Sequence, residues 1–163
     1  MNGKYDGWRL EVHAPTSRAV NRQLEVSSVQ HEFAVALAEL RKHSLEFLDC
    51  EALSRRHAMG KGTLIVLDVI IPDATFLERQ AILHREFPIL NIGEVPKIDT
   101  VYAAPYFPQA LPGSDKLIQQ INERMGVKFY EGVVVKKNDS VYPYQLRNSE
   151  QICTDWVKHR GDQ

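Results

Sequence analysis

The sequence has few cysteines and no long apolar run, and both absences restrict what the protein can be. Cys50 and Cys153 are its only cysteines and form no CxxC pair, which favours a reducing, intracellular compartment and two structural thiols. No stretch approaches the roughly 18 consecutive apolar residues of a membrane span. The polar start MNGKYDG is unlike a signal peptide. We therefore expect a cytoplasmic protein with no membrane partner.

Several common signatures of enzyme sites are also missing. The stretch Gly60-Lys61-Gly62-Thr63 looks like a phosphate loop, but the upstream glycine of GxxxxGK[ST] is absent and a strand, not a helix, follows. No GxGxxG or GxSxG occurs, and the six histidines show no zinc-site spacing. The formal net charge of −1 neither favours nor excludes nucleic acid, because local patches decide that question.

Composition and apolar patterning predict one globular domain over residues 1–163, since 44% of residues are hydrophobic and 25% are charged. Apolar residues in alternation or in short runs predict strands at WRLEVH, LEFLDCEAL, GTLIVLDVII, VKFYEGVVVKK and ICTDWVKHR. The third of these is almost wholly apolar, which predicts a strand buried on both faces.

Capping residues and helical spacing predict three helices between these strands. Ser27 with Gln30, and Thr75 with Glu78, form capping boxes. The third helix is predicted to begin at Ser114 and to end at Gly126. Its expected apolar face consists of Leu117, Ile118, Ile121 and Met125. The five prolines from Pro88 to Pro112 predict loops and extended segments. Without a βαβ rhythm, the order predicts an α+β fold with largely antiparallel sheets flanked by helices.

The chain begins with a KxDG pattern, Lys4-Tyr5-Asp6-Gly7, which is weak evidence when taken alone. Four further segments follow it in order: FLDCE, LIVLDV, EGVVVK and WVKHR. This ordered set resembles the collinear motifs of the covalent nucleotidyltransferase superfamily, which contains ATP-dependent DNA ligases, RNA ligases and messenger-RNA capping enzymes. KYDGWR and EGVVVK are most similar to the DNA ligases, and the resemblance runs from Lys4 to Arg160.

The resemblance implies a fold, a reaction and a role for each matching residue. The implied fold is the adenylation domain of ATP-dependent ligases, with an ATP-grasp-like architecture. Lys4 would accept AMP from ATP, Lys158 and Arg160 would act on the α-phosphate, and Glu51 and Glu131 would bind Mg²⁺, with Mn²⁺ as an alternative. The residues implied to bind ATP are Lys4, Asp6, Gly7, Arg9, Arg22, Glu51, Leu67, Glu131, Val133, Lys136 and Lys158.

The chemistry explains why such residue types belong together. A lysine amine attacks phosphorus only when it is neutral, although its ordinary pKa is about 10.4, so burial or nearby cations have to favour the neutral form. The phosphate needs positive charge around it, and a divalent metal bound by carboxylates neutralises oxygens as pyrophosphate leaves. The resemblance implies that Arg9 contacts ribose or the 5′-phosphate of a nick.

The sequence departs from the family at three places. Only three residues precede Lys4, where relatives have an upstream segment that contacts adenine. Leu67 stands where relatives often have an aromatic residue that stacks on the base. The chain stops three residues after Arg160, so we expect the C-terminal OB-fold domain of ligases to be absent. We also expect self-adenylylation to be weak unless a separate OB-fold domain or accessory partner takes the place of that domain.

Single motifs also have plainer explanations. Lys158 and Arg160 alternate as on a solvated strand face, EGVVVK is an ordinary buried strand, and the basic loop around Arg55, Arg56 and Lys61 fits a soluble surface as well as a DNA contact. The expected function is a DNA ligase core acting on nicked duplex DNA as a monomer. The alternatives are an RNA ligase, a capping-type guanylyltransferase, and a truncated non-catalytic module that binds nucleic acid or a partner.

Overall fold

The computed structural model describes residues 2–5, 7–21, 30–54, 59–106, 113–136, 139 and 156–160, with the backbone alone at 2–4, 114–115, 131–136 and 156–160. The strands are β1 (Asn2–Tyr5), β2 (Trp8–His13), β3 (Arg18–Val20), β4 (Phe47–Leu53), β5 (Thr63–Val69), β6 (Val101–Ala103), β7 (Tyr130–Lys136) and β8 (Trp156–Arg160). The α-helices are α1 (Ala34–Leu40), α2 (Phe76–Glu86) and α3 (Ser114–Met125). Short 3-10 turns occupy Ala14–Thr16 and Gln30–Phe33.

The described strands form two sheets. The larger has five strands in the order β3-β2-β4-β5-β6, and the smaller has three in the order β1-β7-β8. Every pairing is antiparallel except that of β5 with β6. The predicted α+β class with largely antiparallel sheets is therefore confirmed.

The five-stranded sheet is covered on both faces, as the apolar character of β5 predicts. Leu64 and Val66 point to a core formed with α1 and α2, whereas Ile65 between them points to a second core. That second core contains Tyr5 of β1, Tyr130 of β7 and two buried isoleucines of α3. The five-stranded sheet thus lies between helices α1 and α2 on one side and the small sheet with α3 on the other.

The helix boundaries agree with the sequence at one end of α2 and differ at the start of α3. Thr75 caps α2 as predicted, because its hydroxyl oxygen accepts a hydrogen bond from the Glu78 amide at 3.3 Å. At α3 the predicted cap is wrong: Gly113 occupies the N-cap position with φ of 75°, and Ser114 is the first helical residue. Gly126 ends α3 in the left-handed conformation as expected.

Two further predictions concern the apolar face of α3 and the start of the first helix. Leu117 was expected on the apolar face of α3, yet it is 40% exposed, while Ile118 and Ile121 are buried. The apolar stripe of an amphipathic helix is about 100° wide. Leu117 lies at the edge of this stripe on α3. The capping box at Ser27 falls outside the described residues, and α1 begins at Ala34 after a 3-10 turn.

No helix within the described ranges combines the length and apolar character needed to cross a membrane.

Candidate functional site

The KYDGWR segment connects the two sheets. Tyr5 ends β1 in the small sheet and Trp8 begins β2 in the large one, so the chain changes sheets within the motif. A Cβ atom on Gly7 would lie 2.9 Å from the Ala52 carbonyl oxygen and 2.9 Å from Glu51 Cγ. Glycine is therefore required because the backbone passes directly against β4, next to Glu51.

Gly7→Ala is expected to destabilise the protein by about 1–3 kcal/mol, because the added methyl group would overpack against a backbone carbonyl that cannot rotate away. The measurement is the midpoint of urea unfolding. Gly113→Ala is the matched control, since nothing lies within 4 Å of its Cβ position and only its positive φ is strained. A Gly7→Ala midpoint no lower than that of Gly113→Ala would contradict the close approach.

Four charged residues lie where β2 pairs with β4. Arg9 lies opposite Glu51 and Glu11 lies opposite Asp49 in the strand register. The Arg9 guanidinium reaches diagonally to Asp49: its Nε donates to Oδ1 at 2.5 Å, and its second terminal nitrogen donates to Oδ2. Asp49 and Glu51 are buried, while the Arg9 side chain is 34% exposed. A buried carboxylate that accepts hydrogen bonds from two guanidinium nitrogens fixes the orientation of the guanidinium.

Asp49→Asn is expected to lower the unfolding free energy by about 2 kcal/mol, because it replaces a charge-assisted, two-point contact with a neutral one beside the Arg9 cation. Chemical unfolding measures the change. Asp73→Asn is the control, since Asp73 is an exposed carboxylate in a turn. Equal midpoints for the two variants would show that the Arg9–Asp49 contact contributes nothing to stability.

Tyr5 places a buried phenol beside Glu51. Its ring is 2% exposed and packs against Phe129 and Tyr130, with centroids 5.7 and 5.2 Å away. Burial, and then the nearby Tyr130 and Glu51, raise the pKa of Tyr5 well above its ordinary value, so the phenol stays neutral. Among the described residues its hydroxyl has no hydrogen-bond partner. Tyr5 is thus a neutral, buried group in the electrostatic neighbourhood of Glu51.

The register of the small sheet aligns three of the predicted motifs. Lys4 lies opposite Gly132, and Gly132 lies opposite Arg160. Two residues further along the strands, Asn2, Val134 and Lys158 occupy corresponding positions. Neighbouring strands are about 4.8 Å apart, so two strand spacings separate the backbones of Lys4 and Arg160, roughly 10 Å.

Irregularities in pairing fall on two of the predicted residues. Lys4 and Tyr5 are adjacent, yet their partners on β7 are Gly132 and Tyr130, so Glu131 is an extra residue there. Likewise, Asp49 pairs with Asp68 and Cys50 with Val66, which leaves Leu67 as an extra residue on β5. A β-bulge re-aims a side chain and is frequent beside functional sites. Leu67 is partly buried and packs against the second core.

The predicted residues therefore fall into two groups, joined at Gly7. The small sheet contains Lys4, Glu131, Val133, Lys158 and Arg160. The large sheet contains Arg9, Glu51 and Leu67.

Of the other predicted residues, one lies away from the row formed by Lys4, Gly132 and Arg160, and two are not among the described residues. Lys136 is paired with Trp156 at the far end of β7, four residues beyond Gly132 and so roughly 13 Å from that row. Asp6 and Arg22 fall outside the described residues. The ligand-binding roles of all these residues stay predictions.

The donors for a divalent metal are only partly described. Within the described residues, no three His, Cys, Asp or Glu side chains are grouped so as to hold an ion. Glu51 has a buried carboxylate, the ligand type that Mg²⁺ prefers, whereas both carboxylate oxygens of Asp49 accept from Arg9. This donor chemistry fits the predicted ion, and the predicted pairing of Glu51 with Glu131 stays a prediction.

Sequence reasoning did not assign the residues that support this region. Asp49 lies within the FLDCE segment, but its partnership with Arg9 depends on the β2–β4 register. Asn122 of α3 binds the backbone at the start of β7, and its position on the helix gives no signal of this role.

Comparisons with known proteins give one informative result. No protein-family model and no curated protein matches the chain. Among solved structures, it is similar to the crystal structure of the ligase domain from M. tuberculosis LigD, with a TM-score of 0.59 and 18% sequence identity. The alignment covers 98% of this chain and 52% of that one, so the chain spans about half of its length. The likeness shows that this protein has the fold of a ligase catalytic domain.

Proposed function

We propose that this chain is the nucleotidyltransferase core of an ATP-dependent polynucleotide ligase, with nicked duplex DNA as its substrate. The observation that carries the proposal is the register of the small sheet, in which KYDG, EGVVVK and WVKHR meet at Lys4, Gly132 and Arg160. These segments come from opposite ends of the sequence. Their meeting inside a ligase-type fold supports a shared site far more strongly than any single motif does.

The proposed first step is self-adenylylation. The neutral Nζ of Lys4 attacks the α-phosphorus of ATP, a P–N bond forms, the bond from that phosphorus to its bridging oxygen breaks, and pyrophosphate leaves. The lysine proton passes to solvent. Lys158 and Arg160 hold the α-phosphate, and positive charge there also favours the neutral form of the lysine. Magnesium bound by Glu51 and Glu131, or manganese in its place, would supply charge neutralisation for the leaving pyrophosphate.

The two later steps of the proposed reaction take place at the same residues. AMP passes from the lysine to the 5′-phosphate at a nick, forming a pyrophosphate linkage and freeing the amine. The 3′-hydroxyl then attacks that phosphate, AMP leaves, and the phosphodiester is sealed. Arg9, whose guanidinium is oriented by Asp49, binds the ribose or the 5′-phosphate. Leu67 packs against the base in place of an aromatic ring.

The test is covalent labelling of the protein. We expect incubation with α-labelled ATP and Mg²⁺ to leave label on the denatured chain, in a linkage that acid cleaves and alkali does not, as for a phosphoramidate. Digestion should locate the added AMP on the peptide that contains Lys4. The amount of label after long incubation is expected to rise when a separate OB-fold domain is supplied.

Two comparisons separate the alternatives. Stronger labelling by GTP than by ATP would favour a capping-type guanylyltransferase, and transfer to nicked RNA rather than nicked DNA would favour an RNA ligase. No label from either nucleotide, with or without an OB-fold partner, would contradict the proposal and favour a non-catalytic binding module.

A further inference from the structure

The segment that leads into β7 is held by one side chain of α3. Asn122 Oδ1 accepts hydrogen bonds from the Phe129 amide at 3.1 Å and from the Tyr130 amide at 3.0 Å, and its Nδ2 donates to the Tyr130 carbonyl at 2.8 Å. An asparagine amide can donate two hydrogen bonds and accept two. Asn122 therefore commits three of its four to the backbone of two consecutive residues.

Tyr130 is also held through its ring. Its hydroxyl oxygen accepts a hydrogen bond from the Gly93 amide at 3.3 Å, and the ring packs against Tyr5 and Phe129 with centroids 5.2 and 4.9 Å away. Tyr130 is 1% exposed. The residue immediately before Glu131 is thus fixed at its backbone by α3 and at its ring by the core.

This fixed point lies next to the bulge in the pairing of β1 with β7. Tyr130 pairs with Tyr5 on one side of Glu131, and Gly132 pairs with Lys4 on the other. A change of register by one residue would move every residue of the strand to the opposite face of the sheet. Fixing Tyr130 therefore determines which residues of EGVVVK pair with Lys4 in the sheet.

We propose that Asn122 is a positioning residue for nucleotidyl transfer, acting by fixing the bulge at Glu131 and so the alignment of EGVVVK against Lys4. The inference rests on the proposed function. Asn122 acts through the backbone of Phe129 and Tyr130, so its removal should misplace the reacting groups without removing any of them. Misplacement by about 1 Å can cost roughly 100-fold in rate.

The experiment compares three variants of α3 in the full chain. Asn122→Leu removes all three hydrogen bonds while keeping the branching of the side chain, and Asn122→Asp keeps the acceptor for both amides but loses the donor to the Tyr130 carbonyl. Gln119→Leu introduces the same side chain at an exposed position of the helix. Two quantities are measured: the rate of AMP labelling over a range of ATP concentrations, and the hydrogen exchange of the Phe129 and Tyr130 amides.

We expect Asn122→Leu to lower the labelling rate at saturating ATP by about 10–100-fold, with a smaller change in KM. Exchange at Phe129 and Tyr130 should accelerate at least about 10-fold, since both amides lose their acceptor. Asn122→Asp should recover part of the rate, and Gln119→Leu should match the parent in both measurements.

Ile118→Val tests for a purely structural role, because it removes one methyl group from the buried face of the same helix and leaves the three Asn122 hydrogen bonds in place. If Asn122→Leu and Ile118→Val label at equal rates per folded molecule, the inference is wrong while the proposed function stands. If the parent chain takes no label from either nucleotide, the proposed function fails and Asn122 has no transfer to position. Unchanged amide exchange in Asn122→Leu would also overturn the inference.

Discussion

Lys4→Ala is expected to abolish self-adenylylation, with a loss of at least about 1000-fold in labelling. The reason is chemical: alanine has no amine to form the P–N bond, and attack by water would release free AMP and leave no label on the chain. Lys4→Arg is expected to be equally inactive, because the guanidinium remains protonated at any accessible pH. The measurement is label retained on the denatured chain after incubation with α-labelled ATP.

Lys42→Ala is the matched control for this result. Lys42 has a 72% exposed side chain that pairs with Glu39 on the surface, so its loss should leave labelling unchanged. Binding of ATP without reaction should survive in Lys4→Ala, since Arg9, Glu51 and the remaining cations are still present. Label that persists in Lys4→Ala at the parent level would assign the nucleophile to another residue and remove the basis of the proposed reaction.

The sequence predicts most of the fold because its signals are local. Alternation at WRLEVH, the apolar run of β5 and the Thr75 capping box each depend on residues within a few positions, and the structure confirms them. β6 was included only in a proline-containing extended region. It has three residues, Val101–Ala103, and is a strand because β5 lies beside it in parallel. Three residues are too few to display a period.

The parts of the site that were missed depend on register. The pairing of Arg9 with Asp49, and the extra residues Glu131 and Leu67, follow from which residues of two distant strands face each other. A one-residue shift would change all of these relations while leaving the sequence pattern of each strand intact. The change of sheet at Gly7 is similarly invisible, because its cause is the closeness of β4, some forty residues later.

Arg79→Met is expected to lower the unfolding free energy by about 3–5 kcal/mol, the cost of leaving a buried charge without its partner. Arg79 and Asp68 are both fully buried, and the guanidinium donates to the carboxylate through Nε at 2.7 Å and through its second terminal nitrogen at 3.2 Å. A third donor binds the Ala74 carbonyl at 2.7 Å. This pair attaches α2 to β5 directly beside the bulge at Leu67.

Thermal unfolding measures the effect, and a loss of this size corresponds to roughly 10 °C for a chain of this length. The informative comparison is the double variant Asp68→Leu/Arg79→Met. Removing both charges should restore much of the stability, because buried ion pairs are often replaceable by apolar residues while a single buried charge is not. Lys42→Ala, which breaks an exposed pair, should leave the melting temperature unchanged. If the double variant is as unstable as the sum of the two single variants, Asp68 and Arg79 are not coupled, and α2 is held to β5 by its apolar contacts and by the bond from Gln80 to the Leu67 carbonyl.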